Sequence, residues 1–258
     1  MKLQYLGDRR DAFKWDVLLW LCIHSEESFK GLVFIPMLTP ADSSGDGSSN
    51  PKTFPARNPQ IQGFLEMLRR APCCLSYIIQ LGQLEIVRPF PVTIHPEGED
   101  PNTEIGRGKD RVKYWQRFTP EKHNNSIIFL DPDNGFQTKT QDGIKWVRFD
   151  EIEQLLDRLT DDSAVLVYQH RPRALTWEKA LTDLPQRWLS FAGHAPSADC
   201  LLAVYTGQVA LVALTKTRPA GARMRKLLRG YIEENAEKPA AEWTITRPSK
   251  SRLRIWPE

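Results

Sequence analysis

Two continuous apolar runs, SIIFL at 126–130 and AVLVY at 164–168, predict strands that are buried on both faces of a parallel sheet. Between them, Phe149–Leu159 has apolar residues at helical spacing and acidic residues in its first turn, which predicts an amphipathic helix. Strand, helix and strand in this order form a βαβ unit, with a right-handed crossover and a parallel strand pair. This unit is the clearest structural signal in the chain.

Further elements follow from the same periodicities. Asp11–Ser25 has apolar residues at helical spacing, and the run GLVFIPMLTP after it predicts a buried strand. Residues 40–60 are rich in Ser, Gly and Pro, which predicts a loop. Apolar runs at 200–205 and 208–214 flank a Thr-Gly turn and predict an antiparallel hairpin. The remaining predicted elements are helices over 61–70, 110–118, 177–189 and 222–237, and strand-forming sequence over 84–94 that two prolines interrupt.

Strands that alternate with helices and then form a hairpin predict a three-layer α/β protein. Its mostly parallel sheet is expected to end in a C-terminal antiparallel hairpin. A length of 258 residues fits one large domain. We expect an α/β catalytic domain over residues 1–215, and a basic C-terminal helix and tail over 216–258 that packs on this domain or extends from it.

The positive charge of the chain is concentrated near its end. The formal net charge is only +3, but residues 216–258 contain 11 Lys/Arg and five Asp/Glu. A basic region of this kind is expected for a polyanionic partner such as DNA. A solvated helix face followed by a loose tail is the alternative.

Cysteine usage and hydropathy indicate a cytoplasmic protein without a membrane partner. No apolar stretch approaches the ~18 residues that a membrane helix requires, and the amino end has no apolar signal-peptide core. None of the four cysteines belongs to a CxxC pair, which indicates reduced thiols. They are Cys22, Cys73, Cys74 and Cys200.

Polar residues follow three of the predicted strands. Ligands bind beyond the carboxyl ends of parallel strands, so these residues form one predicted site if the three strands are neighbours. The first group is Thr39 and Asp42, the second is Asp131, Asp133 and Asn134, and the third is Gln169, His170, Arg171 and Arg173.

The chemistry of these residue types suggests roles for them. Partial burial raises the pKa of a carboxyl group, which suits Asp131 to general-base work. An imidazole at His170 can polarise a carbonyl or stabilise a leaving anion. Arg171 and Arg173 can clamp phosphates. The alternatives are that Asp131 only caps a turn, and that His170 is a structural histidine. For Asp133 considered alone, the turn-capping role is favoured.

A fourth group lies at the amino end, where Asp8, Asp11 and Lys14 are spaced three residues apart. On a helix, Asp11 and Lys14 are one turn apart and can pair. Lys14 also borders the apolar stripe, where burial would lower the pKa of its ammonium group. An ordinary helix start with favourable early acids is the alternative.

Several kinds of chemistry lack their sequence patterns. The histidines and cysteines show no zinc-ligand spacing, and no GxxxxGK[ST] phosphate loop or GxSxG elbow is present. We therefore expect neither a metal nor a cofactor.

Four segments in order, YLGDRRDAFKWDVL, PMLTPAD, IIFLDPDNGF and VLVYQHRPR, resemble a bacterial protein family to which no reaction is assigned. Its pattern is GDxxDxxKxxLL, MLTPxD, FFDPDNGLE and YQHxxR, and the match spans about residues 5–214. The resemblance implies a setting in phage defence, in which some proteins are DNA glycosylases that act on modified bases. It also implies a shared site built from Asp8, Asp11, Lys14, Thr39, Asp42, Asp131, Asp133, Asn134 and His170.

Parts of the sequence also resemble two larger superfamilies. Asp131-Pro132, and His170 with Pro172, resemble the Asp-Pro and His-Pro motifs of uracil-DNA glycosylases, but only 39 residues separate Asp131 from His170, fewer than is usual there. The order of DPDN, helix, strand and hairpin resembles adenine methyltransferases with a DPPY motif. Here Asp133-Asn134 replace Pro-Tyr, and the Gly-rich S-adenosylmethionine loop is missing after Leu38. The fold is thus expected to be Rossmann-like or uracil-DNA-glycosylase-like.

These observations together predict a DNA glycosylase that acts on a flipped-out base. Its predicted catalytic residues are Asp131, His170, Asp8 and Lys14. Its predicted substrate-binding residues are Asp11, Thr39, Asp42, Asp133, Asn134, Gln169, Arg171 and Arg173. The alternatives are a metal-dependent nuclease that uses Asp8, Asp42, Asp131 and Asp133, and a methyltransferase-like or sensor protein without S-adenosylmethionine activity.

Overall fold

Short apolar runs form the strands of the structure, because each run buries both of its faces. The computed structural model describes residues 1–7, 9–25, 28–41, 59–70, 75–84, 90–98, 100, 102–138, 143–172, 175–193, 200–205, 209–236 and 254–256. Its strands are β1 (Leu32–Ile35), β2 (Val92–Ile94), β3 (Ile127–Leu130), β4 (Gly135–Phe136), β5 (Trp146–Val147), β6 (Ala164–His170), β7 (Cys200–Tyr205), β8 (Val209–Thr215) and β9 (Arg254–Trp256). Its α-helices are α1 (Arg9–His24), α2 (Pro59–Arg70), α3 (Lys109–Gln116), α4 (Phe149–Arg158), α5 (Trp177–Thr182), α6 (Leu184–Ala192) and α7 (Arg218–Ala236).

Seven strands form one mixed sheet in the order β2-β1-β3-β6-β8-β7-β9. The first four are parallel to one another, which confirms a mostly parallel central sheet and the predicted βαβ unit of β3, α4 and β6. The hairpin of β7 and β8 is also confirmed, and β8 is the strand that pairs antiparallel with β6. β4 and β5 form a separate two-stranded parallel sheet.

Both faces of the sheet are covered by helices. Alternate residues of β3 and β6 point to opposite faces, as strand geometry requires. Ile127 and Phe129 belong to a core with α1, α2 and α7, whereas Ile128 and Leu130 belong to a core with α4 and α6. This arrangement is compatible with three layers. None of the described helices is long and apolar enough to cross a membrane.

Prolines shorten two of the predicted elements. The predicted helix over 177–189 is two helices, because Pro185 has no N–H group to continue the first helix through the boundary at Asp183. β1 ends at Ile35, directly before Pro36, and Met37 then takes a positive φ of 45°. Of the strand-forming sequence over 84–94, only Val92–Ile94 is a strand, and residues 85–89 lie outside the described part. A 3₁₀ helix precedes it, over Leu75–Gln83.

The C-terminal region contributes to the same core and sheet. Helix α7 begins at Arg218, four residues before the predicted start, and buries Met224, Leu227 and Leu228 against α1 and the sheet. β9 pairs antiparallel with β7, an edge strand that the sequence did not predict. The division of the chain at residue 215 stays a prediction, and most of the predicted loop over 40–60 lies outside the described residues.

Candidate functional site

The carboxyl ends of β1, β3 and β6 lie side by side, as the site hypothesis requires. Ile35 is level with Leu130, and Leu130 is level with Val167, so the residues that follow these strands emerge at one edge of the sheet. We call the described polar residues at this edge the strand-end site. Its members are Thr39, Asp131, Asp133, Asn134, Gln169 and His170.

A buried lysine joins the amino-terminal helix to this site. Lys14 Nζ lies 2.7 Å from Asp131 Oδ2 and 2.6 Å from Asp11 Oδ1, so the predicted pairing of Asp11 with Lys14 is present. Lys14 is 1% exposed and Asp131 is 2% exposed. The backbone N–H of Gly7 donates to the second oxygen of Asp11, at 2.7 Å. The helix thus places a cation directly against the carboxylate at the end of β3.

Protons are bound tightly in this cluster. Burial lowers the pKa of Lys14, but the carboxylates of Asp11 and Asp131 outweigh it and raise the pKa above its ordinary value. The lowered pKa expected from burial alone is therefore wrong. Burial raises the pKa of Asp131, and the Lys14 ammonium opposes this shift. The α-ammonium of Met1 opposes the Asp131 shift as well, but burial is its largest cause.

Tyr168 lies between the lysine and His170. Lys14 Nζ is 5.3 Å from the centroid of the Tyr168 ring, and the His170 ring meets that of Tyr168 edge-on, with 5.0 Å between centroids. By the strand register, Asp131 is level with Tyr168, and His170 follows two residues later on the same face of the sheet. Strand spacing and rise then place the Cα atoms of Asp131 and His170 about 8 Å apart.

Asp133 is engaged by the neighbouring chain segments. Thr39 Oγ1 donates to Asp133 Oδ2 at 2.8 Å, and the α-ammonium of Met1 lies 3.1 Å from Oδ1. Lys2 Nζ is 3.9 Å from Oδ2. The Thr39 backbone N–H also donates to the carbonyl of Met1, at 2.9 Å. Asp133 therefore ties the loop after β3 to the loop after β1.

Gln169 holds the turn that follows Asp133. Its Oε1 accepts from the Phe136 N–H at 2.9 Å, and its Nε2 donates to the carbonyls of Asn134 at 3.1 Å and His170 at 2.6 Å. Gly135 has a φ of +102°, and a Cβ atom there would lie 2.2 Å from Gln169 Oε1. The turn thus needs glycine both for its backbone conformation and for space.

The predicted site residues differ in what the structure brings together. Contacts join Asp11, Lys14 and Asp131, join Thr39 and Asp133, and join Asn134 and Gln169, while Arg171 is exposed at the end of β6. Asp8, Asp42 and Arg173 lie outside the described residues. Sequence reasoning missed Tyr168, although strand alternation places it on the face of His170.

Within the described ranges, no three His, Cys, Asp or Glu residues are grouped so that they could hold a metal ion. Comparisons with protein-family models, with curated proteins and with solved structures found no match. The motif resemblance therefore stays a prediction, and the functional argument depends on the chemistry of the strand-end site.

Proposed function

We propose that this protein is a DNA N-glycosylase that hydrolyses the bond between a base and its deoxyribose at the strand-end site. The observation that carries the proposal is the placement of Asp131 and His170 on one face of neighbouring strands. Strand spacing and rise place their Cα atoms about 8 Å apart, so both residues lie within the span of one flipped-out nucleotide.

The reaction requires negative charge near the sugar and a proton donor near the base. Water adds to C1′ as the C1′–N bond breaks, and the bonding electrons leave with the base. In this proposal the Asp131 carboxylate, which Lys14 holds at the end of β3, offsets positive charge on the sugar. Asp131 is ion-paired and 2% exposed, so in this geometry it acts through its charge rather than as a freely accessible base. His170 stabilises the departing base.

Two neighbouring residues supply binding contacts in this proposal. Arg171 is exposed directly after His170, where a guanidinium can hold a phosphate. Asn134 is partly buried in the turn after β3, and its amide can read a base edge. The recognised base is a modified one in this account, following the phage-defence resemblance.

A methyltransferase-like protein without S-adenosylmethionine activity is the second candidate. The observation in its favour is the order of β3, DPDN, α4, β6 and an antiparallel hairpin, which the resemblance to DPPY methyltransferases implies. The segment after β1 runs through Pro36 and Met37 in place of a Gly-rich loop. Such a protein would bind DNA and leave its bases in place.

An abasic-site assay separates these functions. The full chain is incubated with phage DNA that carries modified or unmodified cytosines, and strand breaks are measured before and after alkali. We expect alkali-dependent breaks in modified DNA, with or without EDTA, and a loss of about 10²–10³-fold for Asp131→Asn. His24→Ala, at the far end of α1, is the matched control. Intact DNA contradicts the proposal, and breaks that EDTA abolishes indicate the nuclease.

A further inference from the structure

A groove lined with cations runs along helix α7, apart from the strand-end site. Its volume is about 660 Å³. The lining residues recur at intervals of three and four along the chain, so they lie on one face of α7. They are Arg218, Gly221, Ala222, Arg225, Lys226, Arg229, Gly230 and Glu233.

The order of the charges along α7 is the reverse of the order that the helix dipole favours. The amino end of a helix favours acidic residues and its carboxyl end favours basic ones. Helix α7 has the reverse order, because all five of its Arg and Lys residues precede Gly230 and its two Glu residues follow. Arg225 and Arg229 are also like charges one turn apart, which repel. The helix dipole therefore does not account for the arrangement, whereas an anionic partner does.

Residues with small side chains line the groove between its cations. Gly221 and Ala222 lie one turn before Arg225, and Gly230 lies directly after Arg229. Gly230 also allows α7 to pack closely on α1, since a Cβ atom there would lie 3.2 Å from the Trp20 ring. Lys226 and Arg229 are exposed beside these small residues. A phosphate backbone can thus approach the helix closely and meet cations along it.

The groove leads towards the strand-end site. Trp20 of α1 donates to the carbonyl of Leu227, and Tyr231 donates to Asp16, so α1 and α7 run antiparallel. The Arg229 end of the groove therefore lies towards Lys14, and Arg218 is about 16 Å further along the helix.

We propose that the α7 groove binds the phosphate backbone of the DNA on which the strand-end site acts. The inference rests on the proposed function for the choice of partner. Arginine and lysine form strong, charge-assisted hydrogen bonds with phosphate oxygens, and such contacts position a duplex without reading its sequence.

The test compares two sets of substitutions on the same helix. Arg225→Gln, Lys226→Gln and Arg229→Gln are combined in one variant. Arg223→Gln is the control, because Arg223 is off the groove and pairs with Asp162. Binding of a short fluorescein-labelled DNA duplex is followed by anisotropy as salt is raised from ~50 to ~200 mM, and each lost phosphate contact reduces the slope of log K against log [salt] by about 0.9.

We expect the triple variant to lose about 2–3 units of this slope and the control to retain the wild-type value. Circular dichroism of the triple variant should show the wild-type helix content, so that a change in DNA binding reports the groove and not unfolding. An unchanged salt slope overturns the inference. So does retained DNA binding with lost binding to phosphatidylglycerol vesicles, which would make the groove a membrane surface.

The same measurements separate this inference from the proposed function. If the triple variant loses DNA binding and neither the wild type nor the variant releases a base, the proposal for the α7 groove is supported and the glycosylase proposal is wrong. If bases are released while the triple variant binds DNA like the wild type, the glycosylase stands and the groove is wrong.

Discussion

Lys14 Nζ lies 2.7 Å from Asp131 Oδ2, across 117 residues of sequence, and both side chains are almost fully buried. The same ammonium contacts Asp11 one turn earlier on α1, at 2.6 Å. One cation thus neutralises part of the charge of two buried carboxylates and fixes the first helix against the end of β3. The stability of the fold and the electrostatics of the strand-end site both depend on this contact.

Replacing Lys14 with methionine should destabilise the protein strongly. The change keeps the unbranched stem but removes the ammonium group, and it leaves Asp11 and Asp131 buried without their cation, which typically costs about 3–5 kcal/mol. Urea unfolding measures the loss of unfolding free energy.

Asp131→Asn is the matched comparison. Here Lys14 keeps Asp11, and the asparagine carbonyl can still accept from the ammonium, so we expect a smaller loss. Equal losses for the two variants would show that the cluster is not organised around its cation.

Acid should weaken the fold through His95. This residue is 1% exposed, its Nε2–H donates to the Tyr114 carbonyl at 2.9 Å, and burial lowers its pKa from 6.5 to about 4. Between these pH values the unfolded chain binds more protons than the folded one. The contribution of neutral His95 to the unfolding free energy is therefore fully present above pH 6.5. It is lost as the pH falls to about 4, which lowers the unfolding free energy by roughly 3 kcal/mol.

His95→Gln isolates this effect, because glutamine keeps a donor for the Tyr114 carbonyl and does not titrate. Unfolding free energies are measured for both proteins at several pH values between ~4 and ~6.5. We expect the wild type to lose more stability than the variant over this range. Parallel pH profiles would mean that His95 is protonated as easily in the folded state as in the unfolded chain.

Gly135→Ala should be costly for two reasons. Its φ of +102° strains any other residue, by roughly 1–3 kcal/mol, and the added Cβ would collide with Gln169. Gly98→Ala is the control for strain alone, because its φ is +73° and no atom lies within 4 Å of the added Cβ. The melting temperature of Gly135→Ala should be well below that of Gly98→Ala. The reverse order would mean that the turn does not depend on the Gln169 contact.

The local parts of the fold were predictable from the sequence. The runs around Ile128 and Leu166 are apolar at every position, so burial on both faces was evident without neighbours. The parallel pairing of β3 with β6 followed from the intervening helix α4. The order of the hairpin strands was not predictable, because either β7 or β8 can pair with β6 without a change in local pattern. β9 depends on a contact with β7 about 50 residues away, beyond the reach of any local periodicity.

The site shows the same division between local and distant contacts. Helical spacing alone predicted the pairing of Asp11 with Lys14. The contact of Lys14 with Asp131 depends on how α1 packs on the sheet, so the sequence could not show that a carboxylate would raise the pKa of the lysine. Tyr168 looked like another apolar residue of its strand, and only the placement of Lys14 makes its ring part of the site.

The most direct test of the central claim is the rate at which free base is released in a single turnover, measured by mass spectrometry for the wild type, Asp131→Asn, His170→Ala and the double variant. The account predicts a released modified base, large losses for each single change, and a double variant little slower than the slower single one, because both groups act on one transition state. Release at the wild-type rate by either single variant, or no release by the wild type, would contradict it.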